Sequence, residues 1–248
     1  MKRSKILYAI GPIAILAGWY FFAYYPTNFN ILIPKPVQVM LSFKNFPQIL
    51  MKSTIATLYT WSTGTLLGII LGILIGFICG YYQNLFKIIE IPLDFFRSIP
   101  SITLLPIVAL FLGSGLTAKF FIVTFVTFLY VFIHTTYGIK YSRTSKQNLA
   151  LAWRLNPWQN FREIIFYSSL PSIFAGIRTA ITLGLIATIS SEMTILGTAG
   201  LGKKIIDNMV IYNTTEMYEI IIIIGLIGYA TNKLIVILEN NVIHWKGH

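Results

Sequence analysis

The chain has 248 residues, and its 19 Lys and Arg against 8 Asp and Glu give a formal net charge of +11. Only 11% of it is charged while 56% is hydrophobic, and the mean hydropathy is +0.73. That balance excludes an ordinary soluble domain and predicts an all-α polytopic membrane protein.

A crossing needs roughly 20 apolar residues, and six are predicted, at residues 6–25, 58–81, 88–112, 120–139, 172–193 and 218–238. The opening MKRSK followed by an apolar run resembles a secretory leader, but the run is long and exits as AYYPTN without a small-residue cleavage site. It reads as a retained first span entering from a cytoplasmic N-terminus. Six crossings then put both termini in the cytoplasm. On this topology Lys2, Arg3, Lys5, Lys87, Arg97, Lys140, Arg143, Lys146, Arg154, Arg162 and Lys246 lie inside. They outnumber Lys35, Lys44, Lys52, Lys119, Lys203 and Lys204 outside, as the positive-inside rule asks.

In the second span Gly64, Gly68, Gly72, Gly76 and Gly80 recur every four residues. Such a ridge lets helix backbones approach closely, either within the chain or against a second copy. Cys79, in the same span, is the only cysteine, so the chain can build no internal disulfide or thiolate metal site. The third span is interrupted by Pro92, Pro100 and Pro106. Broken helices in a membrane are tolerated where protein or a water-filled cavity satisfies the freed backbone, so this span is a candidate lining of a pathway. Glu90, Asp94 and Arg97 share one helical face and read as an interfacial collar. His134 falls in the fourth span as a packing residue and His244 and His248 in the tail, and no metal centre is predicted.

Residues 141–171, between the fourth and fifth spans, form a basic, amphipathic helix-turn-helix. Leu149, Ala152, Trp153 and Leu155 mark the first helix. Asn156 suits an N-cap, Pro157 the first helical position, and Gln159 the capping-box position of the second. Trp158, Phe161 and Ile165 give that helix an apolar stripe. From the residues alone this is either a docking surface for a soluble partner or a loop lying on solvent or lipid. It is no DNA reader, since both ends run at once into spans and leave no helix free to enter a groove. The positive charge is explained by anionic lipid.

In the fifth span Arg178 lies about two turns from the inner edge, within snorkelling reach. Glu192 lies near the outer end, as a gate, a hydrogen-bonding element or a solvated carboxylate. GTAGLGKK at 197–204 nearly matches the phosphate-binding loop pattern, but Lys204 takes the hydroxyl position and no strand precedes it. No ATP site is expected there.

The run LNPWQNFREIIFYSSLPSIFAGIRTAITLGLIATISSEM with the following GLG, FRSIPSITLLPIVALFLGSG at 96–115, and ILIPKPVQV at 31–39 occur in this order. Together they resemble permease subunits of bacterial ATP-binding-cassette importers, in particular the nitrate, sulfonate and taurine group. The resemblance implies six transmembrane helices with a cytoplasmic helix-turn-helix coupling loop between helices 4 and 5. It divides the chain into 1–57, a first helix with its external connection, 58–238, a five-helix core containing coupling loop 141–171, and a cytoplasmic tail at 239–248.

In that family the loop carries the EAA motif, which inserts into a groove on the ATPase. Its glutamate falls here on Asn148, its alanines on Leu149 and Ala150, and its glycine on Arg154, so that only Ala150 keeps the pattern. Asn148, Leu149, Ala150, Arg154, Pro157, Trp158 and Phe161 are the implied ATPase contacts, with Trp158 and Phe161 buried to stiffen the loop. Ser98, Pro100, Ser101, Thr103, Ser190, Ser191 and Glu192 are the implied path.

The implied partners are ABC ATPase subunits, a second permease copy, an extracytoplasmic solute-binding protein and the bilayer of the bacterial inner membrane, with no nucleic acid. The chain would be no enzyme and bind no cofactor, ATP and Mg residing on the ATPase. Admissible solutes are small organic or inorganic anions such as sulfonates or nitrate, or vitamin precursors. A membrane-embedded enzyme would need a convergent catalytic set, and an ion-gradient-driven transporter mid-membrane carboxylates; both are scarce in this sequence.

Overall fold

A computed structural model describes residues 2–25, 32–45, 48–195 and 199–243, with the side chains of residues 2–9, 45, 83, 101 and 147 excepted. The expectations for Lys246, His244, His248, residue 31 and residues 197–198 lie outside the described residues. The described elements are helical: α1 Lys2–Tyr24, α2 Pro36–Ser42, α3 Gln48–Tyr81, α4 Gln83–Ser98, α5 Leu105–Leu112, α6 Leu116–Ser145, α7 Gln147–Ala152, α8 Pro157–Gln159, α9 Tyr167–Thr194, α10 Leu201–Val210 and α11 Thr214–Val242. Among the described residues, four helices are long and apolar enough to cross a membrane, and five if one bent pair counts as a span. The first predicted span is represented by the shorter apolar stretch Ile10–Tyr24.

The glycine ridge sets the centre of the bundle. A β-carbon at Gly64 would press on Val123, at Gly72 on Val131, at Gly76 on Thr135, and at Gly80 on Ile139 and the Thr136 carbonyl. At Gly68 it would overlap the Thr127 hydroxyl. The contacts advance together along both chains, so α3 and α6 run parallel, backbone against backbone. The ridge is therefore turned inward on α6. Against both α3 and α6, α9 returns antiparallel to them, with Gly138 against Ser172, Gly176 against His134, and Gly184 against Thr127 and Thr65. Trp61 of α3 donates its ring N–H to the Ile181 carbonyl of α9 at 3.2 Å, closing this three-helix core. α11 runs antiparallel to α9. Its first turns pack Ile220 on Leu50 and Leu201, and Ile243 just beyond its other end packs on Leu170 and Ile173.

The proline-interrupted segment bends by 86° between Asn84–Ser98 and Ile102–Leu112. The cause is local. The residue before a proline is steered out of the helical region, and Ile99, before Pro100, is extended at φ −82°, ψ 120°. A short 3-10 turn at Ser101–Leu104 follows. Pro106 then sits in the first turn of α5, where no helical N–H is needed.

The second loop helix and the fifth span are continuous: the chain is helical without interruption from Pro157 to Thr194, and Pro171 lies inside α9. A proline removes one helical hydrogen bond. Here it is preceded by a π-helical stretch, Asn160–Phe166, in which the bonding register is already widened.

Candidate functional site

At one end of the bundle the chain leaves α6 and makes the short α7, a turn and α8. The turn is closed by the Leu155 N–H donating to the Ala150 carbonyl at 3.1 Å. It places Arg154 in the left-handed region at φ 51°, a conformation that glycine adopts without the cost other residues bear. Asn156 then caps α8: its side-chain oxygen accepts from the Gln159 N–H at 2.8 Å, and the Gln159 side chain accepts from the Asn156 N–H at 3.2 Å. The loop is pinned to the bundle by Arg143 donating to the Tyr81 carbonyl and by the Lys146 ammonium donating to the Ser168 hydroxyl at 2.7 Å. Ile164 and Ile165 are buried beneath it.

Phe161 packs edge-on against Phe77 and Tyr81, with centroids 5.9 and 5.7 Å away, and its outer face carries Trp158 at 6.0 Å. Tyr81, Pro157, Trp158 and Phe161 line an open groove of about 390 Å³. The expected burial holds only in part. Phe161 is half-buried, but Trp158 is 68% exposed. On α7 the buried residue is Ala150, whereas Leu149, Leu151, Ala152 and Trp153 face outward. Asn148, Arg154 and Pro157 are exposed as well. A helix of six residues is under two turns long, and only its Ala150 side meets the bundle, which leaves the bulky side chains outward.

The residues expected on a path are divided between two places. Ser98 and Thr103 are exposed at the bend, and both hydroxyls donate to nearby carbonyls, of Asp94 at 2.8 Å and Pro100 at 2.7 Å. Pro100 is exposed beside them, Ser101 lies in the same turn, and the turn packs against α9. Ser190 is half-buried, while Ser191 is buried and donates to the Thr188 carbonyl of its own helix.

Glu192 is 1% exposed, which excludes the solvated carboxylate. It lies at the end opposite α7. The Thr57 hydroxyl of α3 lies 2.9 Å from both of its oxygens, and the Gly202 N–H donates to Oε2 at 2.9 Å. The Leu201 N–H in turn donates to the Thr57 hydroxyl at 2.9 Å. A carboxylate thus occupies the place an anion takes at a helix N-terminus, here that of α10. The N–H groups of Leu201 and Gly202 are thus engaged within the chain. Gly200, at φ 154°, is obligatory, because a β-carbon there would overlap the Glu192 carboxylate. Lys119, also 1% exposed, reaches the same segment by donating to the Ala199 carbonyl at 3.0 Å.

Sequence reasoning missed three of these groups. Thr57, just ahead of the predicted second span, gave no signal, and Lys119 read as one of the outside charges. Arg178 does not merely snorkel: it forms an ion pair with Glu239 of α11. Among the described residues no cluster of three or more His, Cys, Asp or Glu has metal-binding geometry.

Residues 64–244 match the family described as binding-protein-dependent transport system inner membrane component. The chain is 23% identical over 240 residues to the putative aliphatic sulfonates transport permease protein SsuC of Bacillus subtilis, covering 95% of this chain and 86% of that protein. It is 31% identical over 150 residues to the nitrate import permease protein NrtB of a Synechocystis species, covering 59% of this chain and 53% of the relative. Of that protein it therefore matches about half the length. The fold is similar to a chain of the inward-facing MetNI methionine ABC transporter, with a TM-score of 0.64, 18% identity, and coverage of 81% of this chain and 97% of that one. With the glycine-locked core, the broken span and the protruding loop in place, the chain belongs to the family of binding-protein-dependent transport system inner membrane components.

Proposed function

We propose that this chain is the transmembrane permease subunit of an ATP-driven importer and that its α7–α8 loop receives force from a separate ATPase. The single observation behind this reading is the loop itself, capped, tethered and buried at its base, yet with Trp158 and Trp153 held 68% and 63% exposed at its tip. A stiff mount with uncovered aromatic anchors is the arrangement expected of a protein interface. It is unlike a loop that merely spans two helices.

On this reading the loop end faces the cytoplasm, α1 and the bent α4–α5 pair complete six spans, and both termini share the cytoplasmic side. The proposed division is 1–57, 58–238 with the coupling loop, and 239–248. The ATPase holds ATP and Mg. A second permease copy and an external solute-binding protein complete the assembly, the path running past the bend at Ser98, Pro100, Ser101 and Thr103. Ser190, Ser191 and Glu192 form its closed outer end. Relatives named for sulfonates and nitrate favour a small anion as cargo.

The test is co-purification of an ATP-binding-cassette ATPase with the tagged permease from native membranes. Trp158→Ala and Phe161→Ala should leave the permease in the membrane and abolish or uncouple the complex. A stable, coupled complex from both variants would overturn the reading.

A further inference from the structure

Along the spans, α9 and α11 diverge around an open groove of about 560 Å³. Its polar lining is Arg178, Thr179 and Thr182 from α9 and Tyr229, Thr231 and Asn232 from α11. The three threonines are satisfied by carbonyls of their own helices, but hydrocarbon gives no account of Arg178 and Asn232 on the facing sides of two spans. Charged and polar groups at such depth face protein or a water-filled cavity.

Arg178 is the only charged group among them, and its bonding is half used. One terminal nitrogen is taken by Glu239, whose side chain is 7% exposed, while the Arg178 side chain is 42% exposed into the groove. Its Nε is buried without a hydrogen-bond partner, and no contact is found for Nη1 among the described residues. The Thr179 and Thr182 hydroxyls already donate to the carbonyls of Ala175 and Arg178, at 3.0 and 3.3 Å. They therefore offer acceptors, and the groove's free donors are the guanidinium, the Tyr229 hydroxyl and the Asn232 amide.

A guanidinium edge matches two oxygens of one oxyanion, and with Nε buried the edge turned to the groove is that of Nη1 and the second hydrogen of Nη2. The adjoining carboxylate fixes the plane of that edge and cancels its charge. A monovalent anion then meets a preorganised but formally neutral site. A dianion would leave two uncompensated charges within a span, at a cost that buried ions rarely recover. Weak, oriented binding suits a passage, where a solute must leave as readily as it enters.

We propose that the α9–α11 groove is a transit subsite for a small monovalent oxyanion, with Arg178 recognising the anion and Glu239 positioning Arg178 while holding affinity down. This rests on the transport reading above.

The test uses the full-length permease in its assembled complex, in a neutral, phosphate-free detergent, with phenylglyoxal modification of each arginine followed by peptide mass spectrometry. Nitrate and ethanesulfonate should slow modification of Arg178 by about threefold or more relative to chloride at equal ionic strength, and should leave Arg97 unaffected. Sulfate should protect less. Glu239→Gln should lower the half-protecting nitrate concentration by about tenfold, since the charge is no longer cancelled; a purely structural clamp predicts unchanged or weaker protection. Equal Arg178 rates in all salts overturn the proposal, whether or not the Glu239 variant folds. Protection that appears only on adding phosphatidylglycerol also overturns it, assigning the groove to lipid headgroups. Co-purification of the ATPase is scored separately and first, so failure to assemble removes the transport reading, and a complex without anion protection removes the subsite alone.

Discussion

At one end of the bundle Glu192, Thr57 and the N–H groups of Leu201 and Gly202 satisfy one another inside the protein, while at the other Trp153, Trp158 and Leu151 hold large apolar surfaces in the open. The first end spends its polar groups internally, and little is left there for a ligand to engage. The second is equally ordered in backbone, through the Asn156–Gln159 box and the Arg143 and Lys146 tethers, but leaves its apolar area uncovered. Covering each such side chain is worth about 2 kcal/mol. Order with closure marks a fastener; order without closure is what the proposed ATPase contact requires.

The shaft common to both ends is the most sensitive place. Gly72→Leu drives a side chain into Val131 and the Phe128 and Phe132 backbone; folded permease should vanish from the membrane fraction on size-exclusion chromatography. Glu192→Ala follows, leaving the Thr57 hydroxyl and the Gly202 N–H buried without an acceptor, at about 3 kcal/mol or more. Thermal unfolding in detergent should show it, with Glu192→Gln falling between the two. A wild-type midpoint for the alanine variant would deny that end its fastening role. Trp158→Ala should reverse the pattern, with an unchanged unfolding midpoint but ATPase affinity at least tenfold weaker, about 2 kcal/mol, by titration of the purified partner. If it instead unfolds early, the loop end is an internal structure too. Arg154→Gly should have the smallest effect, relieving the left-handed φ of 51° and stabilising the turn by about 1 kcal/mol, seen as slower amide exchange at Leu155.

What could be read from the sequence was whatever a few consecutive residues decide. The glycine period, the break at Pro100 and the cap at Asn156 are short-range chemistry, and the structure carries each where its residues lie. Pro171 shows the limit of such rules, because a proline does end helices in isolation, yet here the widened register before it and packing of Leu170 and Ile173 carry the helix through. Partners distant in sequence were illegible. Thr57 is 135 residues from Glu192, and Arg178 is 61 from Glu239. Nothing in the neighbourhood of either carboxylate names its mate. The exposure of Trp158 was hidden for a different reason: an aromatic stripe looks the same whether its own chain or another protein covers it.

The uninterrupted helix from Pro157 to Thr194 has 38 residues and physically joins the two contrasting ends. Gly176 meets His134 of α6 nearly halfway along it, a convenient fulcrum. At 1.5 Å per residue, Trp158 stands about 27 Å to one side of that fulcrum and Glu192 about 24 Å to the other. A tilt of about 5° would therefore carry the tryptophan about 2 Å one way and the carboxylate about as far the other. That is ample to part hydrogen bonds of 2.9 Å at Thr57 and Gly202. A rigid rotation about that point would move the two rims together, in opposite directions.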